Sequence, residues 1–352
     1  MDSFKVSVVM GVYNAEKFIQ KAVDSALQLE EVKEVIMVED ASTDNTFAIC
    51  QQIVKENKNV KLFQHPGKVN KGVGPSKNLG VKKASCDIVA FLDADDYFLP
   101  NRFEAEKKIF PNHPEIDGVY GALGFHYYSE EYREKYAKRI FNTDLTTMTE
   151  KIPPEKLKYA FSGMCRDDKG HISLIALTIR KSLIEKVNYI DEDVDFHQDT
   201  HFLLKIALFG TLVPGIIDKA GGMRGVHGAN RITSNRQNAH SRYLLYTAME
   251  EWLQKNVEGE DEIKRFISKD RMVYQLLSSK KNRLAKTINL VRLFFKEPFV
   301  FYIEYSFNVL LNGIYGGRIG RIFIKFRKKV LNTVFKKQAQ KWDMIIYDHY
   351  CN

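Results

Sequence analysis

Through the first half of the chain, short β-branched runs alternate with longer amphipathic stretches. Val6 to Val12 predicts a strand, and Ala15 to Leu29 predicts a helix with Phe18, Ala22, Ser25, Ala26 and Leu29 on one face. Val35 to Val38 predicts a second buried strand. Ser42 and Thr43 then stand as N-cap candidates for a helix ending near Lys55. Val60 to Phe63 predicts a third strand, followed by a Gly-rich loop and a helix from about Pro75 to Ala84, and Ile88 to Leu92 predicts a fourth strand. This β-α-β-α order implies an α/β fold, a mainly parallel sheet with helices on both faces. Such sheets bind ligands in the crevice at the C-terminal ends of their strands. The polar residues fall there: Tyr13-Asn14 after the first strand, Glu39-Asp40 after the second, Asp93 to Asp96 after the fourth.

From about His126 to Arg166 the periodicity is poor, and the segment reads as an insertion covering part of the cleft. Regular structure returns with Ile172 to Ile179, a helix from Lys181 to Val187 and a helix from about Gln198 to Phe209. Beyond about Asn235 the pattern is helical and the strand alternation ends, so a boundary is expected there, with 1–234 as one domain and 235–352 as a helical, basic region. No internal repeat is visible.

Composition narrows the picture modestly. The 352 residues carry a formal charge of +9, but the distribution matters more than the sum. From Arg318 to Lys341 there is no Asp or Glu, and Lys and Arg are interleaved with Ile, Phe, Val and Leu. That pattern fits an interfacial helix on anionic lipid; the competing reading is helices packed on the first domain or in a homodimer with a solvated basic face. Phe299 to Tyr315 is apolar but interrupted by Glu304, Asn308 and Asn312, and is short for a membrane span. No nucleic-acid partner is expected. The four cysteines lie far apart with no C-x-x-C pair, which fits a reducing cytoplasm. The N-terminus enters a strand at once and lacks a basic-then-apolar leader. The expected location is the cytoplasm, with the C-terminal region on the inner face of the plasma membrane.

The sharpest chemical feature is Phe91-Leu92-Asp93-Ala94-Asp95-Asp96. Carboxylates this close repel one another unless a cation or hydrogen-bond donors offset them. Mg²⁺ or Mn²⁺, held by one or two carboxylates plus substrate phosphates, would do so. In a D-x-D spacing one carboxylate takes the metal while the other faces a ribose. The competing reading is a solvated acidic turn or helix cap. Asp40 offers an acceptor for the imide N–H of uracil or thymine; its plain alternative is an Asx turn. Asn70 to Asn78 is a Gly-rich loop entering a helix, suited to anionic groups. It is neither a Walker loop nor a dinucleotide fingerprint.

Taken in order, Val8-Val9-Met10-Gly11-Val12-Tyr13-Asn14, Val38-Glu39-Asp40-Ala41-Ser42-Thr43-Asp44, Asn70-x-Gly72 to Lys77-Asn78-x-Gly80 and Asp93-Ala94-Asp95-Asp96 resemble family 2 glycosyltransferases. The resemblance covers about the first hundred residues and implies a GT-A fold with a Rossmann-like nucleotide-binding half. It implies a nucleotide-diphosphate sugar as donor and inversion at the anomeric carbon. The donor half would be about 1–125 and the acceptor half about 126–234. On matching positions, Tyr13 and Asn14 would line the base pocket, Asp40 would hold the base and Lys77 would approach base or ribose. Asp93 would bind the ribose side and Asp95 the metal. Ala41 stands where Gly is commoner, and Lys77 where Arg is frequent.

Farther along, Ile179 to Ile184 and Asn188 to Glu192 are similar to the segment before the family's catalytic base. The resemblance implies that Asp199 is that base, although Gln198-Asp199 replaces the usual Glu-Asp pair. Arg224-Gly225-Val226-His227-Gly228-Ala229-Asn230-Arg231 resembles a segment whose His completes the metal shell, here His227, with Arg224 and Arg231 near phosphates. The expected acceptor is a saccharide or lipid-linked saccharide of an envelope polymer. Two other classes compete: a nucleotidyltransferase, against which the lack of a basic Gly-rich loop after the first strand argues, and an inactive nucleotide- or membrane-binding scaffold.

Overall fold

A computed structural model describes residues 4–134, 145–148, 151–164, 170–194, 196–228, 230, 239–279, 285 and 289. The strands of its larger sheet are β1 (Val6–Val12), β2 (Val32–Glu39), β3 (Val60–Gln64), β4 (Ile88–Phe91), β6 (Gly118–Tyr120), β8 (Leu177–Arg180) and β9 (Leu212–Pro214), in the order β3-β2-β1-β4-β8-β6-β9. β1 pairs in parallel with β2 and β4, and β2 with β3. β8 runs antiparallel to both β4 and β6, and β6 and β9 are parallel. β5 (Tyr97–Phe98), β10 (Ala220–Val226) and β7 (Ala122–Tyr127) form a second sheet in the order β5-β10-β7. This is the mainly parallel, helix-flanked α/β architecture expected from the sequence, of GT-A type.

The order explains the crevice. The chain leaves β1 toward β2 on one side and reaches β4 on the other, so the connections diverge at β1 and open a cleft past its C-terminal end. β1 and β4 are buried almost throughout, as strands covered on both faces must be. Helix α1 (Ile19–Leu27) buries Ile19, Ala22, Val23 and Ala26, and α2 (Thr46–Glu56) buries Cys50 and Ile53. Helix α3 (Val73–Lys83) is nearly engulfed. It lies close on β1 because Gly80 has no side chain, where a Cβ would collide with Val9.

Element boundaries depart from the sequence pattern where side chains pin the backbone. Helix α1 starts at Ile19, not Ala15, because the preceding turn is held from outside: the Ala15 N–H donates to Thr46 Oγ1 at 2.7 Å. Helix α2 starts at Thr46, where Asp44 Oδ1 accepts the Thr46 N–H at 3.0 Å. Ser42 and Thr43 instead bond to Asn14. Helix α3 begins two residues before Pro75, which takes a first-turn place where its missing N–H costs nothing. After the short helix α4 (Glu106–Ile109), helices α5 (Lys181–Lys186) and α6 (Gln198–Phe209) lie where the pattern put them.

The chain divides into two compact units, 1–158 with 167–233, and 159–166 with 234–352. The described part of the second contains the paired helices α7 (Ala239–Asn256) and α8 (Asp261–Ser278). Among the described residues no helix is long and apolar enough to cross a membrane. Phe299 to Tyr315, Arg318 to Lys341 and Arg231 lie outside the described residues.

Candidate active site

Three connections meet at the C-terminal edge of β1, β2 and β4. After β1, Tyr13 is 48% exposed and Asn14 adopts a left-handed φ of 48°, which Asn tolerates better than most residues. The Asn14 N–H donates to Ser42 Oγ at 3.0 Å, and its Oδ1 accepts the Thr43 N–H at 2.8 Å. The loops after β1 and β2 are thus stapled, leaving the Tyr13 ring at the surface.

Asp40 follows β2 and is 3% exposed. Its Oδ1 accepts the Lys71 N–H at 2.7 Å and its Oδ2 the Gly72 N–H at 2.8 Å, while its backbone carbonyl accepts from Asn70 Nδ2 at 2.9 Å. Gly72 has a φ of 93°, a conformation that favours glycine, and opens α3. The carboxylate therefore shapes the Gly-rich loop. The buried His65 adds a third neighbour, its Nε2 3.7 Å from Asp40 Oδ1.

Helix α3 carries Lys77 inward to Asp93, with Nζ 2.9 Å from Oδ1. Burial alone would lower the pKa of this ammonium, but the charges of Asp93, Asp199 and Asp96 more than offset it and hold the pKa above its ordinary value. Lys77 is a fixed cation in the acidic cluster. Asp95 turns the other way: its Oδ2 lies 3.0 Å from His227 Nε2 and accepts from Asn230 Nδ2 at 2.9 Å. Asp96 is 4% exposed and accepts the Gly225 N–H at 2.7 Å. Burial, with Asp95 and Asp93 nearby, pushes its pKa well above the usual carboxylate range. Gly225 has to be glycine, since a Cβ there would strike the Asp95 carbonyl oxygen.

Asp199 stands exposed in the first turn of α6, and its charge acts on both Lys77 and His171. Its neighbour Gln198 is buried beside Gly74 of α3, which ties the start of α6 to the α3 side of the crevice. The structure therefore groups Lys77, Asp93, Asp95, Asp96 and His227 and sets Asp199 within electrostatic reach of Lys77. Tyr13, Asn14 and Asp40 form the β1–β2 side. Arg224 reaches Ser173 Oγ at 3.2 Å and acts on Asp96 and His171.

Asn230 and Phe18 are site residues that pattern reasoning passed over. Asn230 was visible three residues after His227, and Phe18 was read only as part of a core face. His171 had no signal; burial and the Arg224 charge hold its pKa below the ordinary value.

The Asp95 oxygen and His227 nitrogen form an O/N pair suited to a divalent cation such as Mn²⁺ or Mg²⁺. Among the described residues no cluster of three or more His, Cys, Asp or Glu side chains makes a complete cage. A cation held here would need further oxygens, which a diphosphate supplies.

Residues 7–166 match the model of the family described as glycosyl transferase family 2. An uncharacterized glycosyltransferase of Haemophilus influenzae is 36% identical over 102 residues, 29% of this chain and 40% of that protein. The uncharacterized glycosyltransferase EpsJ of Bacillus subtilis is 27% identical over 203 residues, 56% of this chain and 55% of its own. The chain thus spans about half or less of these relatives. Residues 1–349 of S. aureus TarS, solved with UDP-GlcNAc, superpose with a TM-score of 0.57 at 17% identity, covering 88% of this chain and 81% of that one. That last likeness is one of fold.

Proposed function

We propose that the chain is an inverting, metal-dependent glycosyltransferase that moves a sugar from a UDP-sugar to the hydroxyl of a saccharide or lipid-linked saccharide. One juxtaposition carries the reading: Lys77, Asp93, Asp95 and His227 meet at the strand ends of a glycosyltransferase domain, with Asp199 exposed beside them. The UDP-GlcNAc bound to the similarly folded TarS supports a uridine donor.

Tyr13 and Asn14 line the base pocket, and Asp40 accepts the imide N–H of the base. Asp93 takes the ribose side, steadied by Lys77. Asp95 and His227 hold Mn²⁺ or Mg²⁺, which when bound offsets the charge gathering on the departing diphosphate. Asp199 accepts the proton of the attacking acceptor hydroxyl, a poor nucleophile without such a base. Attack opposite the leaving group in one displacement inverts the anomeric carbon, with no sugar–enzyme bond. The basic, apolar-striped Arg318 to Lys341 stretch suits an anionic membrane surface and with it a lipid-linked acceptor in envelope polysaccharide synthesis on the cytoplasmic side.

The test is a panel of nucleotide sugars, read by nucleoside diphosphate released with and without Mn²⁺. Cation-dependent release from a UDP-sugar is expected. Pyrophosphate formation from a nucleoside triphosphate would instead mark a nucleotidyltransferase, and binding without turnover an inactive scaffold.

A further inference from the structure

His227 can serve a cation only if its imidazole keeps Nε2 turned to Asp95, and a histidine beside a loop has two side-chain torsions with which to turn away. Two neighbours limit that freedom. Phe18, at the start of α1, stacks on the His227 ring with centroids 4.5 Å apart and planes 25° from parallel. Tyr128 closes the cluster, its ring 4.9 Å from that of Phe18 and edge-on to His227 at 6.0 Å. Asn230 works from the other side. Its Oδ1 accepts the His227 backbone N–H at 2.6 Å, and its Nδ2 donates to Asp95 Oδ2 at 2.9 Å and to the Gly225 carbonyl at 3.1 Å. One amide therefore grips the backbone of His227, the side chain of Asp95 and the end of β10.

We propose that Asn230 and Phe18 are positioning residues that set the His227 imidazole against Asp95, so that nitrogen and oxygen face one cation together. Neither touches the reacting atoms; both act through His227. The inference rests on the cation reading above. Its consequence is selectivity: a correctly aimed imidazole favours a later first-row ion such as Co²⁺ over Mg²⁺, whereas carboxylate oxygens alone do not. Supports of this kind typically affect metal affinity by about 10–100-fold.

The experiment titrates Co²⁺ and Mg²⁺ into the full chain with excess UDP by calorimetry, for wild type, His227→Ala, Asn230→Ala, Phe18→Ala and Phe18→Tyr. Wild type should prefer Co²⁺ and His227→Ala should lose that preference. Asn230→Ala and Phe18→Ala should move the Co²⁺/Mg²⁺ ratio toward the His227→Ala value by about 10–100-fold. Phe18→Tyr, which keeps the stacking face, should retain the wild-type ratio. A variant that merely unfolds weakens both ions alike and leaves the ratio in its folded fraction unchanged. If the two alanine variants keep the wild-type ratio while His227→Ala loses it, the positioning role is overturned and the cation site stands. If His227→Ala keeps the ratio, or wild type binds UDP without regard to either cation, the ligand assignment itself fails and the inference falls with it.

Discussion

The two ends of the large sheet both bury a carboxylate and treat it in opposite ways. Toward the N-terminal ends of the strands, Glu34 of β2 is 3% exposed and accepts from Ser7 Oγ and from the N–H and Oγ of Ser85, each at 2.7 Å, and from Lys61 Nζ at 2.6 Å. Burial alone would raise its pKa, but Lys61, Ser85 and Ser7 more than offset it and bring it down to about 2. At the C-terminal ends, Asp96 is as deeply buried, yet it faces Asp95 and Asp93, and its pKa is pushed well up. Glu34 is an anion whose surroundings were built to keep it ionised, and it clamps β1, β2, β3 and the turn before β4. The Asp93–Asp96 group is an accumulation of acids set against one another, an arrangement suited to receiving positive charge from outside. Buried acid by itself marks no site; the sign of its surroundings does.

The largest effect that would sharpen this contrast comes from the functional end. Asp199→Asn keeps its shape but cannot accept a proton, so the transfer rate should fall by roughly two to four orders of magnitude. Donor affinity by calorimetry should barely change. A variant that keeps most of its rate would place the base elsewhere, and one that also loses the donor would make Asp199 part of the pocket. Next comes the architectural end. Glu34→Ala strands four donors and should cost about 1–3 kcal/mol in urea unfolding, with transfer per folded molecule unchanged. Activity lost without stability would break the contrast. The smallest effect is expected at Asp96. Asp96→Asn can still accept the Gly225 N–H and removes a charge that its neighbours repel, so stability at neutral pH should not fall; a loss above about 1 kcal/mol would contradict the account.

Acid and base should separate the two ends further. A lowered pKa in the folded state makes Glu34's contribution fully present above its unfolded value of 4.5, and it is lost as pH falls toward about 2. The raised Asp96 works in reverse: its folded form favours the proton, so stability declines as pH rises from 3.8 through the folded value. Urea midpoints at about pH 5 and about pH 8 should therefore show Asp96→Asn gaining on wild type at the higher pH. Glu34→Gln should instead flatten the loss of stability in acid.

Much of this was written in local pattern. The strands of the parallel half and the acids after them are legible because hydrophobic runs and strand ends are sequence-local, and so is helix α6 with Asp199 in its first turn. The small sheet was not legible. β5 has two residues, and β10 contains Gly221, Gly222 and Gly225, so neither shows an alternating apolar face. Helix starts slipped where a distant residue holds the turn, as Thr46 does for Ala15. Asp40 was visible as an acid after a strand, but its partners Lys71 and Gly72 lie some thirty residues on. Glu34 gave no signal, since its donors come from β1, β3 and the turn before β4, which only the fold assembles.

The measurement that bears most directly on the central claim is the anomeric configuration of the product. With a UDP-sugar that the protein consumes and an acceptor that it glycosylates, NMR of the new linkage reads whether the donor's configuration is reversed. One displacement assisted by Asp199 predicts an inverted linkage as the sole product, formed only with a divalent cation present. A retained linkage, or transfer that proceeds unchanged when the cation is chelated, would contradict the account.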